Sequence, residues 1–348
     1  MRKVKLFKPY VSWWAVWNVI KVLRSGQLAE GPQVKAFEEE FAKKFNVENP
    51  VTLNSGTAAL ELAYELADIN EGDEVITPVL TCTATNIPLI HRKAKIIFAD
   101  TDKDLNIDVE DVKKKITTKT KAIVFVHFGG NNRGLKELLE IGKQRNIIII
   151  EDAAQAIGSD FWGKADFTAL SLQAIKSLTT GDGGILLCKD KELTAKAKRL
   201  RWFGYDRELK QKMGDTDLTE AGYKYHMNDI AAALGRGNLV TIDAVLNHRK
   251  ALVAEYRKQG VEAYPWFGLV IHPKRDELRA YLKEQGVESG MHHYRNDKYT
   301  LFGGRQKFKN MDELENQYLL LPLHGNVSLD DVTYIADHIK KFNEIHKS

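Results

Sequence analysis

The sequence predicts an α/β fold in which a parallel β-sheet is covered by helices on both faces. Short apolar runs alternate with helical patterns between about residues 50 and 190, and they read EVITPVL, KIIFAD, KAIVFVHF, NIIIIED, FTALSL and GGILLC. Continuous runs of Ile and Val are typical of strands that are buried on both faces. Helical segments such as GLKELLEIGKQRN lie between the runs and predict the crossover connections of a parallel sheet.

After about residue 190 the helical stretches become longer, which indicates a change in domain organisation. The first of these helical stretches is KELTAKAKRLRWFG. The second, MNDIAAALGRGNLVTIDAVLNHRKALVAEYRKQG, is expected to form one helix long enough to bridge two domains. The remainder offers WFGLVIH, DELRAYLKEQG, VESGMHHY and DDVTYIADHIKKFNEIH, a pattern typical of a small α+β domain. The sequence therefore predicts a large α/β domain over residues 1–240, with an N-terminal helical segment, and a small C-terminal domain over residues 241–348.

The N-terminal segment is basic, then apolar and rich in tryptophan. Trp13, Trp14 and Trp17 indicate an amphipathic helix that packs on its own protein or on a partner subunit. Lys21 and Arg24 interrupt the apolar stretch and no small-residue cleavage site follows, which argues against a signal peptide. No apolar run approaches the roughly 20 residues of a membrane span, so no membrane partner is expected.

Charge and cysteine content exclude several classes of protein. The formal net charge is +4, and basic and acidic residues are interleaved, which argues against nucleic acid as a partner and fits an anionic small-molecule substrate. Cys82 and Cys188 lie far apart in apolar contexts, which argues against a disulfide framework and a zinc site. No metal is therefore predicted, and a cytoplasmic location is expected.

Ligands of open α/β sheets bind beyond the carboxyl ends of the strands, so the residues that follow the apolar runs are candidates for the site. NSGTAAL places Ser55, Gly56 and Thr57 at the start of a helix, where free backbone N–H groups and the positive dipole end suit a phosphate. The same residue types also cap helices that bind no ligand. The motif alone leaves both interpretations open.

Asp152 and Lys176 are the two charged residues that point most directly to chemistry. Asp152 follows four isoleucines, and a carboxylate with little water needs a partner, either a structural ion pair or cap or a cofactor cation such as a pyridinium nitrogen. Lys176 lies in SLQAIKSLTTGDGG between two predicted strands, where it either extends to solvent or attacks a carbonyl as a Schiff-base lysine. Together with Ser171 and the helix start, these residues form the set that a pyridoxal phosphate (PLP) site needs.

The motifs also resemble a known family. Four motifs are similar, in order and spacing, to those of the DegT/DnrJ/EryC1/StrS family of sugar aminotransferases, which are fold type I PLP enzymes. The motifs are NSGTAALELAYELADINEGDEVITP, VHFGG, IIEDAAQAIGS and SLQAIKSLTTGDGG. The resemblance extends to LRSGQLAEGPQVKAFEEEFAKKF, GYKYHMNDIAAALG and HHYRNDKY, and so covers nearly the whole chain. It implies a large domain with a mostly parallel seven-stranded sheet and a smaller C-terminal α+β domain.

The resemblance also assigns roles to individual residues. It implies that Gly56 and Thr57, next to Ser55, hold the cofactor phosphate together with Ser171. It further implies that Asp152 pairs with the pyridine nitrogen, that Gln155 lies near the ring oxygen, and that Lys176 forms the internal aldimine and later carries a proton between the substrate carbon and the cofactor. The expected cofactor-binding residues are Ser55, Gly56, Thr57, Cys82, Asp152, Gln155, Ser171, Lys176, Lys224 and Asn228.

Two positions differ from the pattern of the family, and the roles of one further segment are less specific. Cys82 stands where an aromatic residue commonly stacks on the cofactor, and it is expected to be a neighbour of the ring. Lys224 stands where many members have an asparagine that reaches the phosphate of the neighbouring subunit, and either Lys224 or Asn228 is expected to do so. The HHYRND segment is expected to face the substrate through His293 and Arg295, with the arginine as a diphosphate contact.

The function that follows is a PLP-dependent aminotransferase that moves the amino group of L-glutamate to a keto group, C4 being expected, of a nucleotide-linked 4-keto-6-deoxysugar. The cofactor alternates with its pyridoxamine form, and a homodimer with shared active sites in polysaccharide or O-antigen biosynthesis is implied. A cyclitol aminotransferase or a sugar dehydratase of the same fold is the alternative, although the presence of Lys176 argues against the lysine-free dehydratase type. A non-catalytic regulator would be expected to lack Lys176 or Asp152, and both are present.

Overall fold

The computed structural model describes residues 2–346, which form helices on both sides of a large sheet and a second, smaller sheet. The helices are α1 (Trp13–Ser25), α2 (Pro32–Phe45), α3 (Gly56–Leu66), α4 (Thr83–His91), α5 (Val109–Lys115), α6 (Leu135–Arg145), α7 (Lys191–Leu200), α8 (Arg207–Met213), α9 (Asp229–Leu239), α10 (Ile242–Lys258), α11 (Arg275–Glu284), α12 (Lys309–Leu314) and α13 (Leu329–Ile345). The strands are β1 (Val51–Leu53), β2 (Glu74–Pro78), β3 (Leu80–Thr81), β4 (Lys95–Ala99), β5 (Thr120–Val126), β6 (Ile148–Asp152), β7 (Phe167–Ser171), β8 (Gly184–Cys188), β9 (Glu262–Ala263), β10 (Gly268–Ile271), β11 (Tyr294–Arg295) and β12 (Tyr318–Leu321).

The large sheet has seven strands in the order β1-β8-β7-β6-β5-β2-β4. Strands β7, β6, β5, β2 and β4 pair in parallel, whereas β8 pairs antiparallel with both β7 and β1. The segment from 172 to 183, which connects β7 to β8, contains no helix, and a parallel connection would need a crossover of that kind. The predicted α/β fold with a mostly parallel seven-stranded sheet is confirmed.

Apolar residues of the central strands are buried on both faces of this sheet. Ile150 packs in a cluster with residues of α3, and Ile149 packs in a second cluster with residues of α6. Because successive side chains of a strand point to opposite faces, a strand with helices on both sides is mostly apolar. Its charged groups lie near the strand ends, and this positions the site described below.

The second sheet consists of three antiparallel strands in the order β12-β10-β9 and packs against α10, α11 and α13. Val4 joins the same core and forms a bridge with Val287, so the N-terminal residues lie against this C-terminal region. A boundary between domains at residue 240 stays a prediction.

The expected single helix over residues 227–260 is wrong, because two helices, α9 and α10, occupy this stretch. The break lies at Val240 and Thr241, where Thr241 leaves helical geometry with φ −106° and ψ 5°. Helix α9 packs against α1, and Gly237 makes the close approach possible because a Cβ there would lie 2.2 Å from the Cα of Ala15. The predicted N-terminal helix therefore packs on its own chain through one face.

Candidate active site

A cavity of about 570 Å³ opens at the carboxyl ends of β5, β6 and β7, beside the first turns of α3 and α4. Such a volume is typical of a site for a small molecule or cofactor. Nine of the predicted residues line it: Ser55, Gly56, Thr57, Cys82, Asp152, Gln155, Ser171, Lys176 and His293. Three predicted residues, Lys224, Asn228 and Arg295, do not line it.

The start of α3 forms one wall of the cavity without large side chains. Ser55 caps the helix, its Oγ accepting from the backbone N–H of Ala58 at 3.0 Å. A Cβ at Gly56 would lie 2.8 Å from the Cβ of Ser171, so glycine allows the helix start to touch the end of β7. The first N–H groups of a helix have no intrahelical acceptor, and those of Gly56 and Thr57 are therefore free for an anion.

Asp152 ends β6 and is 5% exposed. One carboxylate oxygen accepts from the Thr85 hydroxyl at 2.7 Å, and the other accepts from the backbone N–H of Ala154 at 3.2 Å. Within residues 2–346 no basic side chain forms an ion pair with this carboxylate. A buried carboxylate that lacks an ion pair suits a cationic ligand group.

Lys176 lies in the connection between β7 and β8, and its side chain is partly buried. The turn that follows returns the chain to the sheet through Gly181, whose φ of +82° favours glycine. Burial lowers the Lys176 pKa to about 8, although the charge of Asp152 acts in the opposite direction. The Nζ atom lies 4.4 Å from the centroid of the Trp266 ring. An amine in this environment is available as a nucleophile near neutral pH.

Gln155 and His293 form a second polar pair in the cavity. The side-chain oxygen of Gln155 accepts from the backbone N–H of Gly129 at 2.7 Å, which directs the Gln155 amide nitrogen to Nε2 of His293 at 3.2 Å. Burial, followed by the proximity of His292 and Lys176, lowers the pKa of His293 well below its ordinary value. Burial also lowers the pKa of His292 to about 4, so both rings are neutral.

The expectation that Arg295 contacts the substrate is not met by this structure. Arg295 is 2% exposed, and its guanidinium donates to both carboxylate oxygens of Asp297 at 2.6 and 2.7 Å. Asp312 and Glu315 complete the ion-pair cluster. Strand β11 pairs with β3, and side chains alternate along a strand, so Tyr294 faces the cavity while Arg295 points away from it.

Lys224 and Asn228 are exposed and lie outside the cavity of their own chain. Asn228 caps α9, its side chain accepting from the backbone N–H of Ala231 at 2.9 Å. The carbonyl of Lys224 accepts from the side-chain amide of Asn54 at 3.1 Å, which ties this segment to the loop before α3. Neither side chain can serve the phosphate site of its own chain in this arrangement.

Sequence reasoning did not single out Thr85 or Trp266. Thr85 lies in the first turn of α4, three positions after Cys82, which precedes that helix and lines the cavity. Residues three positions apart lie on the same side of a helix, so the predicted ring neighbour Cys82 in LTCTATNIP could have indicated that Thr85 also lies near the site. Trp266 is far from Lys176 in the sequence and belongs to no recognisable motif. Only the packing of the C-terminal region brings the two residues together.

His127 also lines the cavity, but its ring is held by another residue. Its Nε2 lies 2.7 Å from a carboxylate oxygen of Glu151, and both side chains are fully buried. Burial would raise the Glu151 pKa, but the hydrogen bond from His127 and those from the backbone of Lys164 and Ala165 lower it. This pair connects the end of β5 to the end of β6.

A larger cavity of about 950 Å³ lies between α2, α7 and α8, away from the residues above. Its buried charges are paired with one another, because Arg201 contacts Glu30 at 3.1 Å and Glu38 at 2.6 Å. This cavity contains none of the residues predicted to bind the cofactor or the substrate. The smaller cavity is therefore the candidate active site.

The residues of the smaller cavity fit PLP. The free N–H groups at Gly56 and Thr57 suit its phosphate, and the glycine corner leaves room for close approach. The carboxylate of Asp152 suits a protonated pyridine nitrogen, and the amine of Lys176 suits an aldehyde. The chemistry of each group on the cofactor thus has a matching group in the cavity.

Similarity to known proteins extends over nearly the whole chain. The sequence profile described as the DegT/DnrJ/EryC1/StrS aminotransferase family matches residues 15–340. The UDP-4-amino-4-deoxy-L-arabinose–oxoglutarate aminotransferase of Shewanella sediminis is 31% identical over 97% of each chain, and the UDP-4-amino-4,6-dideoxy-N-acetyl-beta-L-altrosamine transaminase of Campylobacter jejuni is 30% identical over 91% of each chain. A solved structure of Spr1654 from Streptococcus pneumoniae in its PMP-form is 26% identical with a TM-score of 0.88, covering 99% of this chain and 98% of that one. The chain belongs to the DegT/DnrJ/EryC1/StrS aminotransferase family, and it is a PLP-dependent sugar aminotransferase.

Proposed function

We propose that this enzyme transfers the amino group of L-glutamate to C4 of a nucleotide-linked 4-keto-6-deoxysugar. The observation that carries the proposal is the cavity in which the Lys176 amine and the Asp152 carboxylate are both present and neither is held in an ion pair among residues 2–346. The relatives support the substrate class, since one is named for UDP-4-amino-4-deoxy-L-arabinose and oxoglutarate and another for a UDP-4-amino-4,6-dideoxy sugar. An amine at C4 is common to both names.

The residues of the cavity have separate tasks in this reaction. PLP supplies an aldehyde and an electron-accepting ring when it is bound. The Asp152 carboxylate keeps a proton on the pyridine nitrogen, and the Thr85 hydroxyl at 2.7 Å holds that carboxylate in place. The Nζ of Lys176 would hold the aldehyde of the bound cofactor and, as a free amine, would move the proton at the substrate carbon. The presence of this lysine favours amino transfer over lysine-free dehydration.

The proposal includes a homodimer in which each subunit contributes to the site of the other. Lys224 and Asn228 are exposed at the segment where the family has a residue that reaches the phosphate of the neighbouring subunit. Lys224 is the better candidate, because the Asn228 side chain already caps α9. The ammonium of Lys224 would add a point charge to the phosphate site.

The substrate is tested with purified enzyme, PLP and L-glutamate against a panel of UDP- and dTDP-linked 4-keto-6-deoxysugars. We expect 2-oxoglutarate to form in equal amount to a product whose amine is located at C4 by NMR. The matched controls are the corresponding 3-keto isomers and the same 4-keto-6-deoxysugar without its nucleotide.

Amination of the 3-keto isomers alone would overturn the assignment of C4. Efficient amination of the sugar without nucleotide, or of a cyclitol ketone, would overturn the nucleotide-linked substrate while leaving the aminotransferase in place. Formation of a deoxygenated sugar without 2-oxoglutarate would support the dehydratase alternative.

A further inference from the structure

Helix α1 has two apolar faces, and only one of them is covered in the chain. Ala15 and Val22 are buried against α9, and the Ser12 hydroxyl fixes the helix start by donating to the Gly237 carbonyl at 2.7 Å. The opposite side carries large exposed apolar side chains. Their exposed fractions are 86% for Trp13, 58% for Trp14, 54% for Trp17, 40% for Ile20 and 53% for Leu23.

Three exposed tryptophans on one helix are unusual for the surface of a globular protein. Contiguous exposed apolar patches of this kind mark interaction sites. Trp13, Trp17, Ile20 and Leu23 recur at the helical spacing of three or four residues, so they form one stripe along the outer side of α1. We refer to these side chains, together with Trp14, as the tryptophan stripe.

The charge around the tryptophan stripe identifies its partner. The first acidic residue of the sequence is Glu30, whereas six basic residues precede it: Arg2, Lys3, Lys5, Lys8, Lys21 and Arg24. Lys21 and Arg24 are exposed on α1 itself, and the Nζ of Lys21 lies 5.5 Å from the centroid of the Trp17 ring. A helix with tryptophan and leucine on one side, flanking cations and no anions complements an anionic lipid surface.

Two other occupants fit the tryptophan stripe less well. No helix among residues 2–346 is long and apolar enough to cross a membrane, so the stripe does not belong to a spanning segment. A second copy of α1 offers no acidic residue that could pair with Lys21 and Arg24. A helix lying in the plane of an interface needs neither a span nor an acidic partner.

We propose that α1 is an interfacial membrane anchor that lies flat on an anionic bilayer. The tryptophan stripe enters the headgroup region, where indole rings are favoured, and Lys21 and Arg24 contact lipid phosphates. The buried face of α1 stays on α9, so binding requires no unfolding. The expectation from the sequence that no membrane partner exists rested on the absence of a span, which an interfacial helix does not need.

Co-sedimentation of the PLP-loaded enzyme with vesicles tests this proposal. We expect binding to vesicles of equal parts phosphatidylglycerol and phosphatidylcholine, little binding to phosphatidylcholine alone, and a blue shift of tryptophan fluorescence on binding. The triple variant Trp13→Ser/Trp14→Ser/Trp17→Ser should bind at least about tenfold more weakly. Lys21→Glu/Arg24→Glu should remove the preference for the anionic vesicles.

The matched control is Leu209→Ser/Met213→Ser on α8, which removes two other exposed apolar side chains and should leave vesicle binding unchanged. Conversion of L-glutamate should be the same in all variants, which shows that they are folded. A parent enzyme that stays in the supernatant, or a triple variant that sediments like the parent, would overturn the proposal. A smaller assembly in light scattering of the triple variant, with no change in vesicle binding, would assign the stripe to a second copy instead.

Discussion

Lys176 and Arg295 are both basic side chains that the fold shields from water, Arg295 almost fully and Lys176 in part, and they differ in what surrounds them. Arg295 contacts three carboxylates, those of Asp297, Asp312 and Glu315, and these bonds raise its pKa although burial alone would lower it. Lys176 has no ion pair among residues 2–346, and burial lowers its pKa to about 8. Removing one partner of a fully paired buried charge is strongly destabilising, whereas a partly buried amine without a partner is available for chemistry.

The largest expected effect is the loss of turnover in Lys176→Ala. The variant lacks the amine that binds the aldehyde and moves the proton, and its rate should fall by a factor of at least ~10³. Its free energy of unfolding should stay within about 1 kcal/mol of the parent, because no ion pair is broken. Steady-state assay and urea unfolding check both values, with Lys164→Ala, an exposed lysine, as the matched control.

The opposite pattern is expected for Arg295→Met, which should act on stability. Removing the guanidinium leaves Asp297, which is fully buried, without its partner and should cost roughly 3–5 kcal/mol in the free energy of unfolding. The matched control is Arg305→Met, since Arg305 pairs with Glu315 at the surface and is 56% exposed. Loss of the Arg305–Glu315 ion pair should lower the free energy of unfolding by less than about 1 kcal/mol. Equal costs for the two variants in urea unfolding would contradict the role of burial.

A smaller loss of activity is expected for Asp152→Asn. An amide cannot hold a proton on the pyridine nitrogen as a carboxylate does, so the rate should fall about 10²-fold while Thr85 can still bond to the side-chain oxygen. The variant should retain bound PLP, measured by absorbance after gel filtration. Unchanged kcat would show that Asp152 is a structural cap.

The smallest effect concerns pH. The protonated amine of Lys176 cannot attack an aldehyde, so the rate at which cofactor-free enzyme takes up PLP should rise with pH through about 8. The charge of Asp152 raises the Lys176 pKa, and the midpoint should therefore lie at lower pH in Asp152→Asn. Stopped-flow absorbance measures both profiles. A midpoint near the ordinary lysine value of 10.5 would contradict the effect of burial.

The sequence predicted six of the seven strands of the large sheet, because their apolar runs are bounded by polar residues, but it did not mark β1, which has three residues. The Ile run before Asp152 became β6, and GGILLC became β8. The break between α9 and α10 was not predicted, since Val240 and Thr241 fit a continuous helical pattern in the sequence.

The candidate site was predictable where residues follow strand ends or start helices. Asp152, Ser171 and Gly56 meet in one cavity because β6, β7 and β1, the strand before α3, end at the same edge of the sheet. Arg295 lies outside the cavity of the structure, and this position could not be inferred because the alternation of β11, a strand of two residues, is not visible in HHYRND. Trp266 was missed because its contact with Lys176 depends on how the C-terminal region packs.

The central claim is that Lys176 is the amine that holds the cofactor, and borohydride reduction followed by peptide mass spectrometry tests it most directly. Reduction makes the bond between a lysine amine and the PLP aldehyde permanent, and the added mass then marks the lysine. We predict that the peptide that contains Lys176 is modified. We also predict that this modification is absent when L-glutamate is added before reduction. Modification of another lysine, or of none, in enzyme that turns over would contradict the claim.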